Sequence, residues 1–308
     1  MTIVYSDPVF EQHLTGSHPE TPDRLKSIRG ALGTQNTPYR IEQPQSASVD
    51  QVAQIHRKKQ IEIVQQIAAA GGGHIDGDTV LSLASYEVAM KACGTVIDAV
   101  DRIVAGQSPN ALCLIRPPGH HATQNESMGF CLFNNVAVAA NHALNTHGLG
   151  RVLIIDWDVH HGNGTQDIFY DSENVFFLSL HRYPFYPGTG AESETGTGAG
   201  LGTTMNVPLP GQTPAKVYLQ MFKRAVEKAA QKSKPEIILI SAGFDAHMED
   251  PIGGLNLDEG DFAQMTAVVK EVADHYCAGR IVSCLEGGYH LKALARSVMS
   301  HLDILAAR

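Results

Sequence analysis

Three side chains with metal-binding chemistry occur at a spacing that can bring them onto one cation. Asp158 and His160 are two residues apart, and Asp245 lies in a later segment of the chain. Because side chains of an extended segment alternate between its two faces, Asp158 and His160 point the same way. Two carboxylates and one imidazole leave coordination positions open for water and substrate, which is typical of a catalytic metal site. The simpler alternative is that Asp158 and His160 only hydrogen-bond at the end of a strand.

A second group of side chains can move protons. His120 and His121 are adjacent and follow the stiff segment Pro117-Pro118-Gly119. Imidazole titrates near neutral pH, so such a pair can take a proton from water and deliver one to a leaving group. Each ring needs a partner that fixes its tautomer, and Asp156 and Asn163 are available for this role. A purely structural pair of histidines is the alternative.

Tyr289 follows Gly287 and Gly288, in a segment that can bring its phenol into a cleft. A phenolic O–H directed at a carbonyl stabilises the oxyanion of a tetrahedral intermediate. The alternative is a half-buried tyrosine on a turn. The chain has no Gly-x-Ser-x-Gly elbow and no P-loop lysine motif, which argues against serine hydrolases and P-loop NTPases.

Short runs rich in Val, Ile and Leu alternate with longer segments of helical periodicity. The predicted strands are Ala111–Ile115, Val152–Ile155, Val175–Leu180, Glu236–Ile240 and Arg280–Leu285. The predicted helices are Val49–Ala69, Ser85–Val104, Val136–Asn145, Pro214–Gln231, Asp258–Tyr276 and Leu291–Leu305. This alternation predicts a doubly wound α/β fold, with a central, mainly parallel sheet and helices on both faces. Since no repeat or linker divides the chain, residues 1–308 are predicted to form a single domain.

The candidate chemistry lies where these strands end, which is where open parallel sheets bind their ligands. Of the 15 histidines, seven follow the predicted strands: His120, His121, His160, His161, His181, His247 and His290. The segment Gly188–Gly202 contains six glycines and almost no large apolar residue. It is predicted to be a surface loop, and a flexible connection is its simplest role.

The overall composition limits the function classes. The 308 residues carry a formal charge of -9 with a pI near 5.9, which disfavours nucleic acid as a partner and suits a cationic ligand. No apolar run is long enough for a membrane span, and the N-terminal residues do not read as an export signal, so a cytoplasmic location is expected. Five separated cysteines without a Cys-x-x-Cys pair indicate buried thiols in a reducing compartment.

Several motifs together resemble the zinc-dependent histone deacetylase family, in particular its class II and bacterial deacetylase-like members. They are Arg116–Ala122, Gly129–Asn135, Asp156–Thr165, Pro187–Gly190, Ser241–Asp245 and Glu286–Tyr289. The resemblance extends from His18-Pro19-Glu20 to the last predicted helix. It implies an arginase-like α/β fold and the hydrolysis of an acetylated amine to acetate and free amine.

The resemblance also implies a role for each matched residue. Asp158, His160 and Asp245 resemble the zinc ligands. The catalytic positions are matched by His120, His121, Asp156, Asn163 and Tyr289, with Asp156 and Asn163 orienting the tandem histidines. In the implied mechanism, zinc polarises the acetyl carbonyl, the histidine pair activates the metal-bound water and protonates the amine, and the tyrosine stabilises the oxyanion. Ferrous iron in place of zinc is left open. Asn163 replaces the aspartate of class I members, which changes the electrostatics around His121.

A substrate tunnel and a second ion follow from the same resemblance. Phe130 and Tyr186 match the aromatic walls of an acyl-lysine tunnel, although Tyr186 replaces the more usual phenylalanine. Gly129 lets the substrate chain pass, and Ile252 and Gly287 complete the predicted tunnel. The family also carries a structural potassium ion, which implies a site made by Asp156, Asp158, the His160 carbonyl, Ser179 and Leu180.

Three alternatives stay open at this point. An acetylpolyamine amidohydrolase uses the same chemistry, but such relatives tend to have an acidic residue where this chain has Ile252. A binuclear manganese ureohydrolase needs more carboxylates than the segments around Asp158 and Asp245 supply. A catalytically inactive acyl-amine binder usually lacks a ligand or the tyrosine, and both are present here. The expected substrate is therefore an acetyl-lysine peptide or protein, or an acetylpolyamine, of unassigned acyl length; a homo-oligomer is compatible with the sequence.

Overall fold

A computed structural model describes residues 1–33 and 38–307. Within them the strands are β1 (Thr2–Ser6), β2 (Tyr39–Glu42), β3 (Gly72–His74), β4 (Val80–Ser82), β5 (Asn110–Leu114), β6 (Val152–Asp156), β7 (Val175–Arg182), β8 (Thr204–Leu209), β9 (Ile237–Ala242) and β10 (Ile281–Leu285). The helices are α1 (Asp23–Leu32), α2 (Val49–Val52), α3 (Lys58–Ala69), α4 (Ser85–Val104), α5 (Asn135–Asn145), α6 (Asn163–Phe169), α7 (Ala215–Ser233), α8 (Glu259–Cys277) and α9 (Leu291–Ala306). Short 3-10 turns cover Pro8–Gln12 and Gly198–Gly200.

Eight of these strands form one parallel sheet in the order β2-β1-β5-β10-β9-β6-β7-β8. Its five central strands, β5, β10, β9, β6 and β7, are the five that the sequence predicts. They are almost wholly buried because helices cover both faces, which explains their continuous apolar sequences. The predicted α/β class with a parallel sheet is confirmed. The carboxyl ends of the five strands meet at one edge.

Most predicted helices are confirmed to within two residues, and α4 has the predicted bounds. The single helix predicted over Val49–Ala69 is wrong, because the chain forms α2 and α3 with a break between them. In the break, buried His56 accepts a hydrogen bond from the Asn134 backbone N–H at 2.8 Å. The Arg57 N–H donates to the Gln124 carbonyl at 2.9 Å. These tertiary bonds replace the intrahelical bonds that would continue the helix.

Other elements lack a strong sequence signal. Strand β8 contains Pro208, which cannot donate to a ladder, and it is tolerated because β8 lies at the edge of the sheet. Strands β3 and β4 form a separate three-residue antiparallel pair beside the strand ends. The Gly188–Gly202 segment joins β7 to β8 and contains only the short 3-10 turn among its residues. No described helix is both long and apolar enough to cross a bilayer.

Candidate active site

A narrow cavity of about 230 Å³ opens at the edge where the central strands end. We call it the tunnel cavity; it is lined by Asp78, His121, Gly129, Phe130, His160, Phe185, Tyr186, Ile252 and Tyr289. Larger cavities exist, and one of about 720 Å³ lies between α7 and α8, but no histidine or cysteine lines it. The tunnel cavity is therefore the cavity that contains the predicted chemistry.

The three predicted metal ligands converge at the inner end of this cavity. His160 Nδ1 lies 3.0 Å from Asp158 Oδ1 and 3.2 Å from Asp245 Oδ2. Ligands bound to a tetrahedral zinc at about 2.0–2.1 Å are about 3.3 Å apart, so the cluster has the dimensions of such a site. All three residues are buried. Asp245 Oδ2 makes no hydrogen bond within the described part of the chain, although His160 Nδ1 lies 3.2 Å away, and a cation beside this oxygen would compensate for its burial.

Backbone groups hold the two carboxylates in place. The Gly287 N–H donates to Asp158 Oδ2 at 2.8 Å, and the Val159 N–H donates to Asp245 Oδ1 at 2.9 Å. A Cβ atom at Gly287 would lie 2.6 Å from Asp158 Oδ2 and would overlap Asp245 Oδ2. Gly243 packs equally closely against Asp158. Gly287, predicted as a tunnel residue, thus contacts the predicted metal ligands directly.

The tandem histidines have the partners that the sequence predicts. His120 Nδ1 lies 3.0 Å from Asp156 Oδ2, and His121 Nδ1 lies 2.7 Å from Asn163 Oδ1. Burial lowers the pKa of both rings, but the Asp156 and Asp158 carboxylates raise that of His120 to about 10. The pKa of His121 is well below its usual value because burial is reinforced by the charges of His120 and His160. The two rings therefore lie in opposite electrostatic environments.

The ligand side chains also have shifted pKa values. Burial and the adjacent Asp158 raise the pKa of Asp245 to about 7. Although burial opposes it, His120 and His160 hold the pKa of Asp158 below its usual range. Burial likewise lowers the pKa of His160, but the Asp158 and Asp245 carboxylates raise it to about 9. The three side chains thus lie close enough for the charge of each to change the protonation of the others.

Tyr289 lines the tunnel cavity, and its loop is held by Asp250, for which the sequence predicts no role. Asp250 Oδ2 accepts hydrogen bonds from the Tyr289 and His290 N–H groups at 2.7 and 3.4 Å. Its Oδ1 accepts from Ile252 at 2.9 Å and from Gly253 at 3.2 Å. Burial raises the pKa of the Tyr289 phenol well above its usual value, so the hydroxyl stays protonated and able to donate.

A buried ionic layer lies beneath this loop. The Arg24 guanidinium donates to the carbonyls of Glu286 and Gly288 and lies 5.1 Å from the centre of the Tyr289 ring. Glu20 accepts from both Arg24 and Arg116. Burial raises the pKa of Glu20, but the two guanidinium groups outweigh it and lower the pKa to about 2. The His-Pro-Glu motif and Arg116 of the Arg116–Ala122 motif were the sequence signals for this layer.

Glu286 connects the same loop to the tandem histidines. Its Oε2 accepts from the Gly119 and His120 N–H groups at 2.7 and 3.3 Å, and its Oε1 accepts from the Ser241 hydroxyl at 3.0 Å. Burial raises the pKa of Glu286 to about 7. The loop after β5, the end of β9 and the loop after β10 are therefore joined by one carboxyl group.

The tunnel walls come from three separate segments. Gly129 and Phe130 are the central residues of a tight turn between Met128 and Cys131, and both have positive φ (55° and 69°). This conformation is costly for Phe130 and suits a turn of type I′. The Phe130 ring makes edge contacts with Tyr289 and with His18, and Tyr186 packs edge-on against His121. All predicted tunnel residues except Gly287 line the cavity.

Asp78 is an acidic residue at this cavity that was not predicted from the sequence. Asp78 lies between β3 and β4 and contributes to the cavity lining together with Ile252. Its backbone carbonyl lies 3.0 Å from His18 Nε2, which fixes the position of the loop. The sequence indicates that segment 71–79 shapes the entrance, but its weak periodicity does not single out a residue there.

Two of the predicted potassium ligands lie on neighbouring strands of the sheet. Asp156 of β6 is paired in register with Ser179 of β7, and Leu180 is the residue after Ser179. Asp156, Asp158, His160, Ser179 and Leu180 are all buried. Carboxylate, carbonyl and hydroxyl oxygens are a donor set that suits a hard cation.

The other histidines that follow the strands have different roles. His161 and His181 form a buried layer behind the cavity, where His161 bonds to Thr189 and His181 to Ser179. His247 pairs with Glu259 on α8, and His290 caps α9. Only His120, His121 and His160 belong to the candidate site.

The family model described as a histone deacetylase domain matches residues 18–305. "Histone deacetylase 10, chloroplastic" of Oryza sativa subsp. japonica is 41% identical, over 96% of this chain and 71% of that protein. "Histone deacetylase-like amidohydrolase" of Pseudomonas aeruginosa is 39% identical, over 88% of this chain and 71% of that protein. The crystal structure of the HDA15 HD domain superposes with a TM-score of 0.93 at 35% identity and covers 99% of this chain and 88% of that one.

Proposed function

Because this chain belongs to the histone deacetylase family and is a hydrolytic deacetylase, we propose that it is a zinc-dependent enzyme that removes acetyl groups from N-acetyl-lysine side chains. The observation that supports this best is the geometry at the inner end of the tunnel cavity. There, three convergent metal ligands lie beside two partnered histidines and a protonated tyrosine.

The donor set fits zinc. Asp158, His160 and Asp245 offer two oxygens and one nitrogen at tetrahedral spacing, and a cation would compensate for the burial of Asp245 Oδ2, which makes no hydrogen bond within the described part of the chain. When bound, zinc supplies Lewis-acid chemistry that polarises an amide carbonyl and lowers the pKa of a water molecule. Potassium is proposed as a structural ion at Asp156, Asp158, His160, Ser179 and Leu180.

The chain's own residues carry out the proton transfers. His120, held by Asp156, and His121, held by Asn163, present their Nε2 atoms to the site because Nδ1 is already occupied in each ring. We assign them to accepting a proton from water and delivering one to the departing amine. The Tyr289 hydroxyl donates a hydrogen bond to the oxygen on which negative charge develops.

The tunnel supports an acyl-lysine substrate more than a polyamine. A cavity of about 230 Å³ is below the usual range for drug-sized ligands and suits a single linear chain between aromatic walls. Its apolar lining at Phe130, Phe185 and Ile252 suits the methylene groups of lysine. Asp78 is available for a peptide N–H or for a cationic amine, and so keeps acetylpolyamine as the second candidate.

A substrate panel tests the assignment. We expect kcat/KM to be higher for an acetyl-lysine peptide than for N-acetylputrescine or N-acetylspermidine, measured on one preparation with its metal content determined. Ile252→Glu should move this ratio toward the acetylpolyamines by placing a carboxylate in the cavity. Leu201→Glu, on a side chain that is 70% exposed, adds the same charge outside the cavity and should not change the ratio. A wild-type preference for acetylpolyamines would replace the proposed substrate with the second candidate.

A further inference from the structure

We infer that Asp101, His142 and His147 form a second transition-metal site on the outer surface of the protein, separate from the catalytic centre. His142 Nε2 lies 2.7 Å from Asp101 Oδ1, and His147 Nε2 lies 2.6 Å from the same oxygen. The three ligand atoms lie within 4.8 Å of one another. We call this group the α4–α5 cluster, since Asp101 lies on α4, His142 on α5 and His147 directly after α5.

The chain builds this cluster at a helix end. His142 lies in the last turn of α5, and Gly148 at φ 67° turns the chain back so that the Leu149 N–H donates to the Ala143 carbonyl. This turn returns His147 to the same side as His142, with the two ring centres 5.2 Å apart and the planes nearly perpendicular. Packing of α4 against α5 then brings Asp101 between the rings.

The cluster has an orienting group like those found around bound metals. Thr146 Oγ1 lies 3.1 Å from His142 Nδ1, the nitrogen that faces away from Asp101. A threonine hydroxyl both donates and accepts, so it can pair with His142 in either tautomer. When Thr146 accepts from Nδ1–H, the lone pair on Nε2 is free for a cation. The same side chains therefore serve the metal-free and the metal-bound state.

Charge and donor type select the class of cation. With neutral imidazoles, the cluster carries the single negative charge of Asp101, and the two histidines are its only basic ion-pair partners in the described part of the chain. Two nitrogens and one oxygen suit Zn²⁺, Ni²⁺ or Cu²⁺ and disfavour Mg²⁺ or Ca²⁺. The Nε2–Oδ1 separations would widen by about 0.6 Å around such an ion. The Asp101 side chain is 46% exposed, so solvent can reach the cluster and complete the coordination.

Metal binding here would clamp α4 to α5. The opposite end of α5 carries Asn134 and Asn135, which donate to the carbonyls of Ala122 and Pro117 on either side of the tandem histidines. A cation at the α4–α5 cluster would thus stabilise the helix that supports this loop. It would also give a stoichiometry of two metals per chain without a second catalytic metal.

Equilibrium dialysis of the purified protein against micromolar ZnCl2, followed by metal analysis, tests the inference. We expect two zinc ions per wild-type chain and one in the His142→Ala/His147→Ala double variant. Deacetylase activity should be unchanged in the variant. Asp101→Asn keeps a hydrogen-bonding side chain and should also lower the stoichiometry to one, which guards against a folding defect in the double variant.

Two histidines outside the α4–α5 cluster provide the control. His74→Ala/His275→Ala removes two exposed histidines elsewhere and should retain two zinc ions per chain. When the catalytic site is already loaded with zinc, NiCl2 should raise the melting temperature of the wild type and of this control, but not that of the His142→Ala/His147→Ala variant. The inference is overturned if the wild type binds a single zinc ion, or if the double variant still binds two.

Discussion

At the scale of single residues, two glycines determine how closely the proposed metal ligands can approach one another. Gly243 and Gly287 pack against the carboxylates of Asp158 and Asp245 without space for a methyl group. Both belong to motifs that were recognised in the sequence, but neither motif indicated that its glycine limits the metal site. The restriction is steric, and it appears only when the fold brings together the three segments that carry these glycines and the two carboxylates.

Gly287→Ala is expected to weaken metal binding. The new Cβ would overlap Asp245 Oδ2 and displace one of the three ligands. We expect a loss of roughly 10–100-fold in zinc affinity, measured by competition with a chelator. Gly30→Ala is the matched control, because a Cβ on this exposed position of α1 meets nothing within 4 Å. The control should stabilise the helix by about 0.5–1 kcal/mol and leave zinc affinity unchanged. Unaltered affinity in Gly287→Ala would mean that the carboxylates are not metal ligands.

Tyr289→Phe is expected to leave the metal content intact and to lower kcat for an acetyl-lysine peptide by about 10²–10³-fold. The phenol supplies one hydrogen bond that strengthens as charge develops on the carbonyl oxygen, so KM should change little. Tyr276→Phe on α8 removes a hydroxyl outside the tunnel cavity and should behave as wild type. Undiminished turnover by Tyr289→Phe would remove this residue from the mechanism.

At the scale of elements, the parallel sheet explains why part of the site could be predicted. Asp158 follows β6 and Asp245 follows β9, and these strands are neighbours, so their carboxyl ends must be close. Asp78 and Arg24 could not be placed in this way. Asp78 lies in a short hairpin without clear periodicity, and Arg24 reaches carbonyls more than 260 residues away. The break after α2 has a similar cause, since tertiary bonds at His56 and Arg57 override local helix propensity.

Asp250 joins the Tyr289 loop to the segment that contains Ile252 and Gly253. Asp250→Asn should remove the hydrogen bonds to one of them. The carboxylate accepts from the Tyr289 loop with one oxygen and from Ile252 and Gly253 with the other. An amide has one acceptor oxygen, so one loop loses its bonds at a cost of about 1–3 kcal/mol. If the lost bonds are those that hold the Tyr289 loop, kcat should fall about tenfold or more while zinc content stays unchanged.

The readout for Asp250→Asn is the separate measurement of kcat and KM. Glu271→Gln changes an exposed carboxylate on α8 that does not line the tunnel cavity and should retain wild-type kinetics. Wild-type kcat in Asp250→Asn would show that the tyrosine loop holds its position without this residue.

At the scale of the whole molecule, the histidine surplus has more than one physical origin. His120, His121 and His160 serve the candidate site, whereas other histidines are uncharged parts of the interior. His56 bonds to Thr123 and Asn134, and His301 bonds to Thr266 and Ser283. An imidazole can donate from one nitrogen and accept with the other, which suits buried positions that need both. The histidine count alone therefore overstates the size of the catalytic site.

These interior histidines make stability depend on pH. Burial lowers the pKa of His56 to about 4 and that of His301 to about 3, below the value of about 6.5 for an unfolded chain. Between pH 6.5 and these values the unfolded state binds protons that the folded state does not, so the free energy of unfolding falls as the pH falls. Well above pH 6.5 both states are neutral and the effect vanishes.

His56→Gln isolates one of these contributions. The glutamine oxygen can accept the Asn134 N–H in place of Nε2 but does not titrate. On going from pH 7.5 to pH 5.0, the wild type should lose about 2 kcal/mol more than the variant, because one depressed histidine contributes that much at pH 5.0. Urea-unfolding curves at the two pH values measure this difference, and groups common to both proteins, including the metal ligands, cancel. His275→Gln, on an exposed side chain of α8, should lose as much stability as the wild type. Equal losses for the wild type and His56→Gln would show that His56 is not held neutral in the folded protein.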